Sequence, residues 1–86
     1  GDGSSAVQML NPPHVHHVKC HPKGRYAAAA LGDGRCLLFD LHTRKPLSYL
    51  TGAHSYSLSH VSFPSERLLV TAGNDRLCVL WSVDAR

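Results

Sequence analysis

Seven histidines, three cysteines and several serines within 86 residues invite three chemical readings. The first is nucleophilic catalysis by a Ser, His and Asp set. That chemistry needs a nucleophile held against an orienting base. The sequence has no Gly-x-Ser-x-Gly elbow, so no catalytic residue and no enzymatic activity are expected. The second is zinc, suggested by His14, His16, His17, Cys20 and His21. Zinc does use closely spaced His and Cys. On a strand, however, His14, His16, Val18 and Cys20 share one face while His17 points to the other. A second ligand pair such as Cys-x-x-Cys is missing. The cluster therefore predicts exposed imidazoles at the entrance of a strand and no metal; Cys20, which takes the place of Phe63 in the first copy of an internal repeat, is expected to be buried. The third is a phosphate loop at Gly32-Asp33-Gly34-Arg35. It lacks Gly-Lys-Ser/Thr and a following helix to supply N–H groups. It reads as a hairpin turn, and no cofactor is expected.

The elements that hold these residues repeat. Val15-x-x-Val18-x-Cys20 returns as Leu58-x-x-Val61-x-Phe63, 43 residues later. The segment from Tyr26 to Phe39 returns from Leu68 to Trp81 at an offset of 42. The first copy has one extra residue in its first turn, His21-Pro22-Lys23-Gly24-Arg25. A period of about 42 suits four-stranded propeller blades. Short apolar runs separated by Gly, Pro, Asp and Asn predict strands at 6–10, 14–20, 26–31, 35–40, 46–50, 57–63, 67–72 and 77–83. The run Ala27 to Ala30 has helical propensity. It is too short for a helix and is bracketed by Gly24 and Gly32, so it reads as a strand whose small side chains suit converging sheets. Gly32-Asp33-Gly34 and Gly73-Asn74-Asp75 are expected to be tight turns, because Gly and Asn tolerate positive φ.

Composition narrows the function classes. Hydrophobic residues make up 43%, which is globular. No apolar run approaches the roughly 20 residues of a membrane-spanning helix. Gly1-Asp2-Gly3-Ser4-Ser5 carries no signal-peptide pattern, and the absence of an initial Met suggests a fragment or a processed chain. Three cysteines without a Cys-x-x-Cys pair favour a reducing compartment, cytoplasm or nucleus. The formal charge is +3, from nine Lys and Arg that never form a run. That scatter argues against nucleic acid as a direct partner.

The second copy carries a recognisable pattern: Gly52-Ala53-His54, then Leu58, Val61, Phe63, Thr71, Asp75 and Trp81. With these residues in this order the chain resembles the WD-repeat β-propeller family. It departs where Ala53 separates Gly from His and where Ser82 follows Trp81 in place of Asp. The first copy is degenerate: Asn11 stands for His, Ala29 for Ser or Thr and Phe39 for Trp, while Asp33 and Phe39-Asp40 remain. The resemblance implies an all-β fold of antiparallel four-stranded blades, about two of them. Residues 1–10 would be a tail and the outer strand of a preceding blade. Residues 11–50 would form a degenerate blade, and 51–86 a blade lacking its last strand. It also implies a hydrogen-bonded chain from Trp81 through Thr71 and His54 to Asp75. The first blade, lacking that chain, should rely on apolar packing alone and be the softer one.

The function implied is a non-enzymatic scaffold that presents loops to a protein partner. His14, His16, Tyr56, Ser57 and Arg76 are the expected contacts, since loop-borne Tyr and Arg suit interfaces. A rival reading is purely structural: the blades complete a ring, by joining the rest of a propeller or by self-association, and binding lies elsewhere. A narrower possibility is a substrate receptor of a cullin–RING ubiquitin ligase, whose blades often end in Trp-Asp-x-Arg. Phe39-Asp40-Leu41-His42 and Trp81-Ser82-Val83-Asp84-Ala85-Arg86 approach that motif without matching it.

Overall fold

The computed structural model describes residues 13–83. Seven strands follow one another: β1 (Val15–Cys20), β2 (Tyr26–Leu31), β3 (Cys36–Asp40), β4 (Pro46–Leu50), β5 (Leu58–Ser65), β6 (Leu68–Gly73) and β7 (Cys78–Ser82). They form a four-stranded sheet in the order β1-β2-β3-β4 and a three-stranded sheet in the order β5-β6-β7. All pairings are antiparallel. The described part is thus all-β, two blades of a propeller. The expected strands 26–31 and 46–50 coincide with β2 and β4, and the others differ by one or two residues at an end. The expected strand 6–10 and Asn11 lie outside the described residues.

Ala27 to Ala30 do form a strand, and packing overrides their helical propensity. Ala28 and Ala30 are fully buried against the second sheet. Their small side chains let the sheets approach. Tyr26, Cys36 and Leu38 join them from the first sheet; Leu58, Val61 and Leu69 meet them from the second. Phe63, Trp81 and Val83 close the margin of this core.

Strands β1 and β5, each at an edge of its sheet, run side by side in the same direction. His17 Nδ1 accepts the Val61 N–H at 3.0 Å. His21 Nδ1 accepts the Lys23 N–H at 3.1 Å, which leaves the proton on Nε2. That Nε2–H donates to the Glu66 carbonyl at 2.6 Å. His21 is buried, stacked on Tyr26 and edge-on to Phe63. The first blade is therefore not held by apolar packing alone. A buried histidine, with both ring nitrogens satisfied, clamps it to its neighbour.

Two further expectations need correction. Cys20 is exposed, not buried. It occupies the position of Phe63 in the repeat. Phe63 faces the first sheet, whereas the matching face of the first sheet points away from the second. Val18 and Val15 on that face are likewise 53% and 56% exposed, against 2% and 1% for their counterparts Val61 and Leu58. The strict alternation expected along β1 is also broken. A bulge between Val15 and His17 inserts His16 as an extra residue.

Candidate functional site

Two of the sequence-defined turns and one longer loop meet on one edge of the molecule. The β2–β3 turn closes with Gly34 N–H to the Leu31 carbonyl (3.2 Å) and Leu31 N–H to the Arg35 carbonyl (3.0 Å). The β6–β7 turn repeats this with Arg76 N–H to Gly73 (3.2 Å) and Gly73 N–H to Leu77 (3.1 Å). The positive φ falls at Gly34 (91°) and Arg76 (68°), not at Gly32, Gly73 or Asn74. Gly34 has a second reason to be glycine. A Cβ there would lie 2.9 Å from the Tyr56 carbonyl oxygen and 3.0 Å from that of His54. The β4–β5 loop of the second repeat packs directly on the turn of the first.

Within the second blade four side chains are linked. The Trp81 indole Nε1–H donates to Thr71 Oγ1 at 2.9 Å. Thr71 Oγ1 lies 2.8 Å from His54 Nε2. His54 Nδ1 lies 3.1 Å from Asp75 Oδ1. A carboxylate only accepts, so Nδ1 carries the proton and Nε2 accepts the Thr71 hydroxyl. Asp75 also accepts the Ser55 N–H (3.0 Å) and the Leu77 N–H (3.2 Å). Burial alone would raise the Asp75 carboxyl. The hydrogen bonds from His54, Ser55 and Leu77 and the attraction of His54 outweigh it and hold the group below its ordinary value. Thr71 is fully buried, and the His54 and Asp75 side chains nearly so. Such a network orders the loop that carries His54.

Gly73 completes this arrangement, and sequence reasoning treated it only as a turn residue. A Cβ at Gly73 would meet Asp75 Oδ1 and His54 Nδ1, both at 2.7 Å. Its counterpart in the first repeat is Leu31, which is fully buried. The signal was present: a glycine two residues before the Asp in one copy, a leucine in the other.

The five expected contact residues lie along this same edge. His14 and His16 stack at 6.2 Å beside the first turn, where the Gly32 N–H donates to the His14 carbonyl at 2.7 Å. Both are exposed, as are Tyr56 and Arg76; Ser57 is half-buried. The Asn74 side-chain amide donates to Ser57 Oγ at 2.8 Å. Between the two blades a cleft of about 490 Å³ is lined by Gly32, Asp33, Ser55, Tyr56, Ser57 and Asn74. At its first-blade side Asp33 holds Arg35 (Nε–Oδ2, 2.6 Å), whose guanidinium lies 4.4 Å from the Tyr49 ring centre. His17 and His21 are instead turned to the second blade. Among the described residues, no three His, Cys, Asp or Glu side chains converge as a metal site would require.

Comparison with known proteins places these features. The model of the WD domain, G-beta repeat, matches residues 6–40 and 44–82. The chain belongs to this WD-repeat family. The second matched repeat straddles the two sheets, since it begins at the turn before β4 and ends on β7. The chain is 29% identical over 82 residues to a WD repeat-containing protein 53 homolog from Dictyostelium discoideum, covering 88% of this chain and 22% of that protein. It is 39% identical over 84 residues to the cilia- and flagella-associated protein 52 of Chlamydomonas reinhardtii, covering 94% and 14%. It is 31% identical over 75 residues to the Set1 complex component swd1 of Schizosaccharomyces pombe, covering 86% and 19%. The chain thus spans less than a quarter of the length of each. WD repeats imply a protein-interaction scaffold, and members of the family are generally non-enzymatic.

Proposed function

We propose that these blades present the His54–Asp75 edge to a protein partner, with His14, His16, Tyr56, Ser57 and Arg76 as contacts. The observation that carries this reading is the inter-blade cleft, flanked by Tyr56 at 66% exposure. An aromatic ring held in water beside a polar groove is the kind of anchor that interfaces use. The linked Trp81, Thr71, His54 and Asp75 side chains serve this surface by fixing the loop from which Tyr56 projects. Membership of a larger assembly fits one relative's name as a component of the Set1 complex. The three free cysteines, two of them exposed, support the cytoplasm or nucleus as the compartment. The cullin–RING receptor reading gains less. Asp40, its motif aspartate, is turned into its own loop, accepting the His42 and Thr43 N–H groups at 2.7 and 2.8 Å.

The test is quantitative affinity purification of the complete protein and of its Tyr56→Ala and Arg76→Ala variants. The scaffold reading expects at least one co-purifying protein to fall by about tenfold in a variant whose fold is intact, the effect of losing about 1.4 kcal/mol. Unchanged recovery of every co-purifying protein would favour the alternative, in which the blades only complete a ring.

A further inference from the structure

The basic residues that are scattered along the chain are not scattered in space. An antiparallel meander sends every second turn to the same edge. The β1–β2, β3–β4 and β5–β6 turns therefore share the edge opposite the His54 loop. They carry Lys23 and Arg25, Arg44 and Lys45, and Arg67, all exposed. The turns are joined: Leu41 N–H donates to the Arg25 carbonyl at 3.0 Å, and Lys23 Nζ lies 3.5 Å from Glu66 Oε2.

The acids on this edge do not balance that charge. Among the described residues they are Asp40 and Glu66. Asp40 is held below its ordinary pKa mainly by the Thr43 and His42 backbone N–H groups that its own carboxylate accepts, so its charge is spent inside the turn. Glu66 faces Lys23. Arg25, Lys45 and Arg67 stand beyond both. The opposite edge is balanced, with Asp33 and Asp75 against Arg35 and Arg76. Most of the excess positive charge of the described residues is thus gathered at one edge, where it attracts acidic groups.

We infer that this edge is a second docking surface, for an acidic segment of a protein partner. Leu41 and Leu47, each 39% exposed, lie in and beside the β3–β4 turn between the basic groups. Basic residues interleaved with aliphatic ones suit a segment of Asp or Glu interspersed with apolar residues, by charge-assisted pairing and apolar contact together. A nucleic acid fits less well. Tyr26 is buried, Tyr49 lies under Arg35 and Tyr56 is on the other edge, so this edge offers no tyrosine on which a base could stack.

The experiment is fluorescence anisotropy on the complete protein, with a labelled short peptide of alternating Asp, Glu and Leu as the probe. The peptide should bind with an affinity that falls as salt rises. Lys45→Glu and Arg67→Glu should each weaken it about tenfold, the effect of losing one close charge pair. Arg35→Glu, which changes the net charge equally but sits in the β2–β3 turn on the opposite edge, should weaken it less than about twofold. Circular dichroism melts confirm that each variant folds. Absence of peptide binding, equal losses in all three variants, or tighter binding of a single-stranded oligonucleotide of the same charge would each overturn the proposal.

Discussion

The two blades solve the same structural problem with different residues, position by position. Where the second has Thr71, Gly73, Asp75 and Trp81, the first has Ala29, Leu31, Asp33 and Phe39. In the second blade Gly73 leaves room for His54 and Asp75 to meet. In the first, Leu31 is fully buried, and Asp33 turns instead to the Arg35 side chain at 2.6 Å. One blade fixes its loop edge with a buried hydrogen-bonded chain; the other has aliphatic packing and an exposed ion pair there, and the His21 clamp at the opposite edge. The comparison teaches that a degenerate repeat can hold its place in the fold through different contacts. Thr71 and Trp81 have as counterparts Ala29 and Phe39, which need no polar partner.

The turn position shared by Gly34 and Arg76 gives the largest contrast. Gly34→Ala combines an unfavourable left-handed backbone with contact on two backbone carbonyls. It should destabilise by roughly 2–5 kcal/mol, the sum of backbone strain and overpacking. Arg76→Gly, at the equivalent φ in the second blade, should change stability by no more than about 1 kcal/mol, in the stabilising direction. Equal effects at the two sites in urea melts would mean that the second repeat's loop does not rest on Gly34.

A smaller effect is expected in the polar chain. Thr71→Val removes the partner of both the Trp81 N–H and His54 Nε2. It should cost about 1–3 kcal/mol, the penalty for buried groups left unpaired. An unchanged denaturant midpoint at an unchanged slope would contradict the role given to these four residues.

The smallest effect concerns acid. The Asp75 carboxyl titrates below its ordinary value in the fold. Its contribution to stability is therefore complete above the ordinary carboxylate pKa of about 3.9, and is lost as pH falls through the depressed value. Asp75→Asn should be less stable than the natural chain at neutral pH, and the gap should narrow below about pH 4. A gap that stays constant through acid melts would show that the carboxylate charge is not what Asp75 supplies.

Much of this was readable from the repeat. Turn residues and period set strands β2 to β7 to within two residues, because Gly, Asn and Asp mark where the chain must reverse. Three features were not readable, for distinct physical reasons. Repeat alignment assigned Cys20 to a face of its sheet, but which face is covered depends on the neighbouring sheet. His17 and His21 sat in a cluster that drew attention as possible ligands, whereas their work is across the β1–β5 seam, where only packing reveals a partner. The positive φ at Arg76 is set by turn geometry that glycine would have advertised and arginine does not.

The central claim is that the two sheets are stacked propeller blades, each with an outer face shaped for another blade. The repeat motivates it: Leu80 is 62% exposed where its counterpart Leu38 is 8% exposed, and Cys78 is exposed where Cys36 is buried with its thiol pushed up to about 12. Apolar surface of that kind costs about 25 cal/mol per Å² in water, and a small core has little margin to absorb it. The direct measurement is sedimentation equilibrium of the 86-residue chain, paired with urea melts over a range of concentrations. The account predicts a mass above that of a monomer and a midpoint that rises with concentration. A monomeric mass with a sharp, concentration-independent transition would contradict it, because these residues would then close a core by themselves.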